Sequence, residues 1–237
     1  MSARPTLRAA AALAAFAAAV PAAAQLRVDK PADLAAPVAL GPSQGAIVVG
    51  IRRPDKMSEH KGGTIAFARY DLAKRDIVAQ PKGAKKAGDT TTYWVQVHSG
   101  DKTLAAEYLV MPVTAGDYVL FGASPAKVPQ VANTFCLGAP AFHVAAGEVI
   151  YFGDLTPYPR VKLVDGTSTE AMAWSSHPEA ARAALAKQAA LLASLKPAEL
   201  SNEATFGCAA VTMTAYAVPG APALPPAAAP EGEAGGK

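Results

Sequence analysis

Two acidic residues occupy equivalent places in a duplicated stretch, and their spacing could support chemistry. Residues 112–122 and 143–153 align without a gap, which places Asp117 opposite Glu148. If the two copies lay side by side, the carboxylates could act as general acid and base in a hydrolase. An acidic residue beside a turn glycine can also bind nearby backbone N–H groups. Since no other catalytic group accompanies the pair, we predict turn chemistry rather than catalysis.

The sequence gives no support for metal or cofactor chemistry. The four histidines are scattered and show no ligand spacing: His60, His98, His143 and His177. The G-x-S-x-G elbow, the H-E-x-x-H zinc motif and the glycine-rich phosphate loops are absent. We therefore predict no metal and no cofactor, and we expect the protein not to be an enzyme.

Aromatic residues near the second copy could form a binding surface. Tyr151, Tyr158 and Trp174 are candidates to line a groove for a glycan or a peptide. Strand alternation must turn either Tyr151 or Phe152 toward the core, so packing accounts for part of this set. The loop at residues 154–160 is the first place where an exposed patch is expected.

The N-terminus predicts export. Arg4 and Arg8 precede an uncharged apolar run at residues 9–20, and small residues follow before Gln25, as in a secretory signal peptide over residues 1–24. A transmembrane anchor is the alternative, but this run is too short to span a bilayer. Removing residues 1–24 takes away two arginines and no acid, so the net charge falls from +3 to +1. We predict a periplasmic or secreted protein that binds no nucleic acid.

An exported chain with two cysteines favours a disulfide. Cys136 and Cys208 are the two cysteines of the sequence, and an oxidising compartment would join them. In the chain-entropy model such a bond contributes about 4 kcal/mol to stability. A reactive thiol needs a neighbouring base, and no Cys-His spacing of that kind is present.

Short alternating runs separated by turn residues predict a mainly β fold. Residues 91–98 alternate, with Trp94, Gln96 and His98 on one face, and residues 104–110 return after a glycine turn, which predicts a hairpin. Each copy of the duplication predicts a tight Ala-Gly turn followed by a strand. Together these runs indicate an antiparallel β-sandwich with one α-helix in the last third of the chain.

The remaining segments set the domain boundaries. Residues 177–196 predict the helix, with Ser176 and Glu179 forming a capping box. Residues 25–44 resemble an extended leader, so the folded domain is expected over residues 45–218. The Pro/Ala/Gly-rich residues 219–237 predict a disordered tail.

The two copies also carry a family resemblance. The Ala115-Gly116-Asp117-Tyr118 element and the strand from Gly147 to Gly153 resemble motifs of an uncharacterised group of small exported bacterial proteins. The first element is similar to the Gly-x-Tyr strand of prealbumin-like and carboxypeptidase-regulatory-like sandwiches. The resemblance covers about residues 45–175 and implies a β-sandwich in the cell envelope, with no activity known for the group.

These observations lead to three hypotheses about function. The first is an exported, non-enzymatic envelope protein that acts as a structural or protein-interaction module, with an envelope protein or cell-wall component as its partner. The second is a glycan- or peptide-binding module that uses the aromatics near Tyr158. The third is a hydrolase that uses Asp117 and Glu148. No transmembrane segment is predicted after signal cleavage.

Overall fold

The computed structural model describes most of the chain after the predicted signal peptide. The described ranges are 26–53, 63–101, 103–157, 161–162, 168–169, 172–208 and 212–226. The predicted signal peptide and the candidate aromatic Tyr158 lie outside the described residues.

Within these ranges the chain forms many short strands and two short helices. The strands are β1 Arg27–Val28, β2 Gln44–Arg52, β3 Thr64–Asp71, β4 Asp76–Ile77, β5 Trp94–His98, β6 Ala106–Thr114, β7 Gly116–Ser124, β8 Asn133–Thr134, β9 Ala139–Val144, β10 Val149–Thr156, β11 Val161–Lys162, β12 Ser168–Thr169, β13 Ala173–Ser175, β14 Leu195–Pro197, β15 Ser201–Ala204 and β16 Thr212–Met213. The helices are α1 Pro178–Ala184 and α2 Ala189–Ala193.

Two sheets pack face to face. The larger sheet runs β1-β5-β3-β7-β8-β16, with β9 also paired to β7, β15 to β9 and β4 to β3. The smaller sheet runs β13-β10-β2-β6, with β14 also paired to β10. The predicted mainly β sandwich with a helical segment in the last third is confirmed. Both sheets are mixed rather than purely antiparallel, because β1 runs parallel to β5 in the larger sheet and β10 runs parallel to β2 and β14 in the smaller one.

The main core lies between the sheets. Phe67 of the larger sheet packs against Phe152 of the smaller sheet, with ring centroids 5.1 Å apart, and Phe142 contacts both rings. A second buried cluster covers the outer face of the smaller sheet, where Leu185 and Leu191 of the helical segment pack with Val48 and Tyr151. The alternation of β-branched and aromatic residues thus supplies apolar surface to both faces of the smaller sheet.

The predicted hairpin of residues 91–98 and 104–110 is wrong. β5 pairs with β3 and β1 in the larger sheet, whereas β6 pairs with β2 in the smaller one. The connection between them crosses from sheet to sheet, and the Glu107 carboxylate fixes it by accepting hydrogen bonds from Ser99 Oγ and from the backbone N–H groups of Gly100 and Asp101.

The duplicated stretch forms two sheet-crossing corners. The first copy carries the chain from β6 in the smaller sheet to β7 in the larger sheet, and the second carries it back from β9 to β10. Only the second corner has the predicted tight turn, in which Gly147 adopts a φ of +78°. Each corner is followed by a register shift that leaves Phe121 in one copy and Phe152 in the other without a strand partner. The repeat therefore encodes a corner and a β-bulge.

The helical segment is divided, where one continuous helix over residues 177–196 was predicted. Residues 185–188 form a turn between α1 and α2. The Gln188 side chain explains the break, because its amide nitrogen donates to the carbonyls of Leu34 and Ala36, and its amide oxygen accepts from Val38 N–H. The predicted capping box is also wrong, since His177 is the N-cap and no side chain caps the helix.

Both segments that flank the predicted domain pack against it where they are described. β1 pairs with β5, and Ala32 N–H donates to Val110 O, so the leader belongs to the fold. At the other end, the Asn202 amide binds the carbonyls of Val218 and Ala221, so residues 219–226 are held against the core. Residues 227–237 lie outside the described residues.

The predicted disulfide is confirmed. Cys136 and Cys208 are joined across 72 residues, with their Cα atoms 6.2 Å apart. The bond ties the segment after β8 to the segment after β15 and so fixes one side of the larger sheet.

Candidate ligand-binding site

The outer face of the larger sheet carries a trough along β5. Trp94, Gln96 and His98 alternate with the fully buried Val95 and Val97. Strand alternation therefore turns the indole, the amide and the imidazole away from the sandwich core, at a spacing of about 7 Å from one side chain to the next. These three side chains form the floor of a trough that consists of two connected hollows.

The first hollow is aromatic and has a volume of about 550 Å³. The Trp94 ring packs edge-on against Phe121, with centroids 4.5 Å apart, and Phe121 stacks on Phe206 at 5.3 Å. Ile77 and the disulfide-bonded Cys208 complete the apolar wall. This end of the trough can accommodate an apolar side chain.

Two polar atoms in this hollow have no hydrogen-bond partner within the described residues: the Trp94 Nε1–H donor and the Gln96 Oε1 acceptor. Gln96 is only 8% exposed, and its Nε2 donates to Val128 O at 2.7 Å, which fixes the orientation of the amide. Leaving a buried donor or acceptor unpaired costs about 1–3 kcal/mol. Both atoms are buried, so each leaves a hydrogen-bonding capacity unused beneath the hollow that its residue lines, and a ligand would have to reach into the hollow to use it.

The second hollow is basic and has a volume of about 540 Å³. It shares Arg27, Gln96 and Pro129 with the first hollow, which makes the trough continuous. Arg27 is paired with Asp29, but Lys30 and Lys127 have no ion-pair partner within the described part of the chain.

His98 lies at the basic end of the trough. Burial lowers the pKa of its imidazole, and the positive charge of Lys127 lowers it further, while Glu107 acts in the opposite direction. Neutral imidazole is therefore the favoured form of His98 in the unliganded trough near neutral pH.

The aromatics singled out from the sequence lie elsewhere, at the edge of the smaller sheet. Tyr151 and Trp174 line a cleft of about 570 Å³ together with residues 197–201 and 218–222. Their polar atoms are engaged in the fold, because Trp174 Nε1 donates to Phe152 O at 2.9 Å. Tyr151 is 2% exposed, and its hydroxyl binds Asp154 and His177 N–H. The structure thus brings two of the three candidates together, and their role in binding stays a prediction.

Beside this cleft, Asp154 is a buried carboxylate that sequence reasoning missed. It accepts hydrogen bonds from the Tyr151 and Tyr108 hydroxyls and pairs with Arg52 Nε at 2.6 Å and His177 Nδ1 at 3.0 Å. Burial, with Asp154 adding to the effect, raises the pKa of Tyr108 to about 12 and raises the pKa of Tyr151 as well. An aspartate inside the apolar run of β10 was the available signal. Its shell of four partners anchors the start of α1 to the smaller sheet.

Asp117 and Glu148 have separate partners. Asp117 Oδ1 lies 2.8 Å from His143 Nδ1 across the β7–β9 pair. Glu148 binds Lys196 Nζ at 2.6 Å and accepts from Ala145 N–H, and the pKa of its carboxyl is lowered chiefly by the Lys196 hydrogen bond. This arrangement favours the structural interpretation of both carboxylates over a shared acid–base site.

Within the described residues, His, Cys, Asp and Glu side chains do not gather in any group of three or more that could hold a metal ion. The described helices are all too short or too polar to cross a membrane. Comparisons with protein-family models, curated proteins and solved structures found no match to this chain.

The trough itself could have been suspected from the sequence. The alternation of residues 91–98 already placed Trp94, Gln96 and His98 on one face. The sequence did not indicate that β5 lies near the edge of the larger sheet, nor that Phe121 and Lys127 come from other segments to form the walls.

Proposed function

We propose that this protein is an exported, non-enzymatic module of the cell envelope that acts by binding a ligand in the trough along β5. The observation that carries the proposal is the pair of buried, unpartnered polar atoms, Trp94 Nε1 and Gln96 Oε1, in one hollow beside the Phe121 ring. Natural folds leave few such atoms unpaired, so each one calls for an explanation, and two of them on residues that line one aromatic hollow favour a ligand-binding site.

Export supports the cellular setting of this proposal. The signal-peptide pattern of residues 1–24 would deliver the mature chain outside the cytoplasm. The Cys136–Cys208 disulfide fits an oxidising compartment such as the periplasm or the exterior. Both observations favour an envelope protein or a cell-wall component as the source of the ligand.

The Trp174 cleft is the second candidate for the same binding function. Its favouring observation is that Tyr151 and Trp174 share one cleft of about 570 Å³, as a glycan- or peptide-binding surface would require. The Trp174 indole donor is already bound to Phe152 O, so a ligand in this cleft would gain less binding free energy from the indole than a ligand in the trough would gain from Trp94.

Tryptophan fluorescence distinguishes the two sites, because the chain has two tryptophans and each lines a different one. The variant Trp174→Phe leaves Trp94 as the only emitter, and Trp94→Phe leaves Trp174. We expect short peptides or cell-wall glycans to change the emission of the Trp174→Phe variant and to raise its melting temperature.

A matched variant tests the polar atoms directly. Gln96→Leu removes the unpartnered acceptor while keeping a side chain of similar size, and it should weaken any ligand that shifts Trp94 emission. A ligand that perturbs only Trp174 would move the binding function to the second cleft. If no peptide or glycan alters either emission or the melting temperature, the ligand-binding proposal is wrong.

A further inference from the structure

We infer that the ligand of the trough is an extended peptide segment with acidic side chains, an inference that rests on the proposed binding function. Three features of the trough specify the ligand: an aromatic hollow, a donor–acceptor pair and a basic hollow, arranged in this order along one strand.

The donor–acceptor pair matches a peptide backbone. Trp94 Nε1–H requires an acceptor and Gln96 Oε1 requires a donor, and alternate residues of an extended peptide present C=O and N–H groups on the same side. Because Trp94 and Gln96 are two residues apart on one strand face, their side chains are spaced by about 7 Å, close to the two-residue repeat of an extended peptide.

The length of the trough fits the same ligand. Trp94, Gln96 and His98 follow one another along β5, which spans about 13 Å from the first to the last of these residues. An extended segment of about four residues covers that distance, placing one side chain against Trp94 and Phe121 and another over the basic hollow.

Charge selects among peptides. Lys30 and Lys127 face the basic hollow without an ion-pair partner in the described ranges, whereas Arg27 is neutralised by Asp29. A carboxylate placed there would pair with a lysine and would favour the protonated form of His98. Glu107, whose negative charge also acts on His98 and which is not part of the lining of the hollow, would repel the same carboxylate. The favoured position for the acidic side chain is therefore the Lys127 side of the hollow.

The chemistry of the aromatic hollow favours a peptide over a neutral glycan. Phe121, Phe206 and Ile77 line or support this end, and a leucine or phenylalanine side chain would bury its apolar surface there. The hydroxyls of a neutral glycan could bind Trp94 Nε1 or Gln96 Oε1 as a peptide backbone would, but such a glycan has no apolar side chain to fill the hollow and no group to pair with Lys127.

The experiment uses labelled peptides of about eight residues, enough to cover the trough and its flanks. Each contains one leucine followed by two test positions occupied by Glu, Gln or Lys, and a chain of N-acetylglucosamine units serves as the glycan probe. Binding is measured by fluorescence anisotropy of the label for the peptides and by Trp94 emission in the Trp174→Phe variant for every probe.

We expect the Glu peptide to bind about tenfold more tightly than the Gln peptide, and the Lys peptide to bind most weakly. Lys127→Glu should abolish this preference, whereas Lys85→Glu, an equal charge change on an exposed loop residue outside the trough, should preserve it. Added salt should reduce the preference, since it screens exposed charges.

The outcomes separate this inference from the proposed function. Two outcomes with a change in Trp94 emission overturn the acidic-peptide inference and leave the binding function in place. The first is equal binding of the Glu, Gln and Lys peptides, and the second is binding of the glycan alone. A Glu preference that survives Lys127→Glu also overturns it. If no probe alters Trp94 emission, the inference and the proposed function fail together.

Discussion

Each copy of the duplicated stretch contains a bulged phenylalanine, but the tryptophans that contact these two residues are in opposite hydrogen-bonding states. In each copy a phenylalanine is the bulged residue and a tryptophan lies beside it, Trp94 with Phe121 and Trp174 with Phe152. In the second copy the Phe152 carbonyl accepts the Trp174 indole. In the first copy the Phe121 carbonyl accepts Phe135 N–H instead, and the Trp94 indole nitrogen has no partner among the described residues.

This difference shows how one motif can serve two purposes. The hydrogen bond to the Phe152 carbonyl makes the Trp174 indole part of the scaffold. A backbone N–H from the segment after β8 takes the equivalent place beside Phe121, so the Trp94 indole can bind a ligand. The partner that each carbonyl finds, rather than the motif, decides which tryptophan is structural.

Removal of the disulfide should have the largest effect, and it should act on the Trp94 trough. Cys208 lines that trough, whereas the lining of the Trp174 cleft contains no cysteine among the described residues. Replacing Cys136 and Cys208 with serine frees a 72-residue loop and should lower the free energy of unfolding by about 4 kcal/mol. Urea denaturation of the serine variant and the parent measures the loss. A decrease below about 1 kcal/mol would contradict the expected contribution of the cross-link.

Gly153→Ala should have the next largest effect, because it disturbs the structural tryptophan. Gly153 has a φ of +121°, and a Cβ there would overlap the Trp174 indole nitrogen. We expect a loss of about 3 kcal/mol from strain and displacement of the indole.

Gly220→Ala is the matched control in the same cleft. Gly220 also has a positive φ, of +81°, but a Cβ there meets no atom within 4 Å, so the loss should be about 1 kcal/mol. Thermal unfolding compares the two variants. Equal losses would show that the Trp174 indole is not held rigidly against the bulge.

Conservative replacement of each tryptophan sharpens the comparison. Trp174→Phe leaves the Phe152 carbonyl without its donor and should cost about 1–2 kcal/mol. Trp94→Phe removes a donor that has no partner, so its cost should be within about 0.5 kcal/mol of zero after the smaller ring has repacked. Chemical denaturation of both variants gives the difference. A larger cost for Trp94→Phe would reverse the assignment of the structural and the available indole.

The smallest expected effect is a pH dependence at the basic end of the trough. The pKa of His98 is lowered from 6.5 in the folded protein, mainly by burial, so the unfolded chain binds the proton more readily. Stability from this residue is therefore fully present above pH 6.5 and is lost as the pH falls through the lowered pKa. We expect His98→Asn to reduce the loss of stability between about pH 7.5 and pH 5. Melting curves that decline equally in both proteins would contradict this role of His98.

The affinity for an acidic ligand should depend on pH in the opposite direction to the stability of the protein. A carboxylate beside His98 favours the imidazolium, so binding of the Glu peptide should strengthen as the pH falls toward about 5.5. The His98→Asn variant should lose that dependence while still binding. Isothermal titration at two pH values provides the measurement.

Several features of the fold followed from local sequence. The alternation of residues 91–98 separated Val95 and Val97, which the structure buries, from Trp94, Gln96 and His98 on the other face. The mainly β class followed from short runs of branched and aromatic residues. The cysteine pair was predicted from its count and compartment alone. The first two features depend on residues that are adjacent in the chain, and two cysteines can form only one intramolecular disulfide.

Other features depended on contacts between distant segments. The hairpin prediction failed because the turn after His98 fits either a hairpin or a crossing, and Glu107 stabilises the crossing. The single helix failed because Gln188 binds the carbonyls of residues 34 and 36, far away in sequence. Residues 219–237 were assigned to a disordered tail because their composition does not reveal that the Asn202 side chain binds the carbonyls of Val218 and Ala221.

The sequence by itself determined the strand alternation, the tight turn at Gly147 and the pairing of the two cysteines, because each depends on backbone geometry or on residue counts. Only the tertiary structure decided which tryptophan keeps a free indole. The Phe121 carbonyl accepts the backbone N–H of Phe135, whereas the Phe152 carbonyl accepts the Trp174 indole. Both donors come from segments distant in sequence, so the residues around each bulge do not indicate which donor will bind.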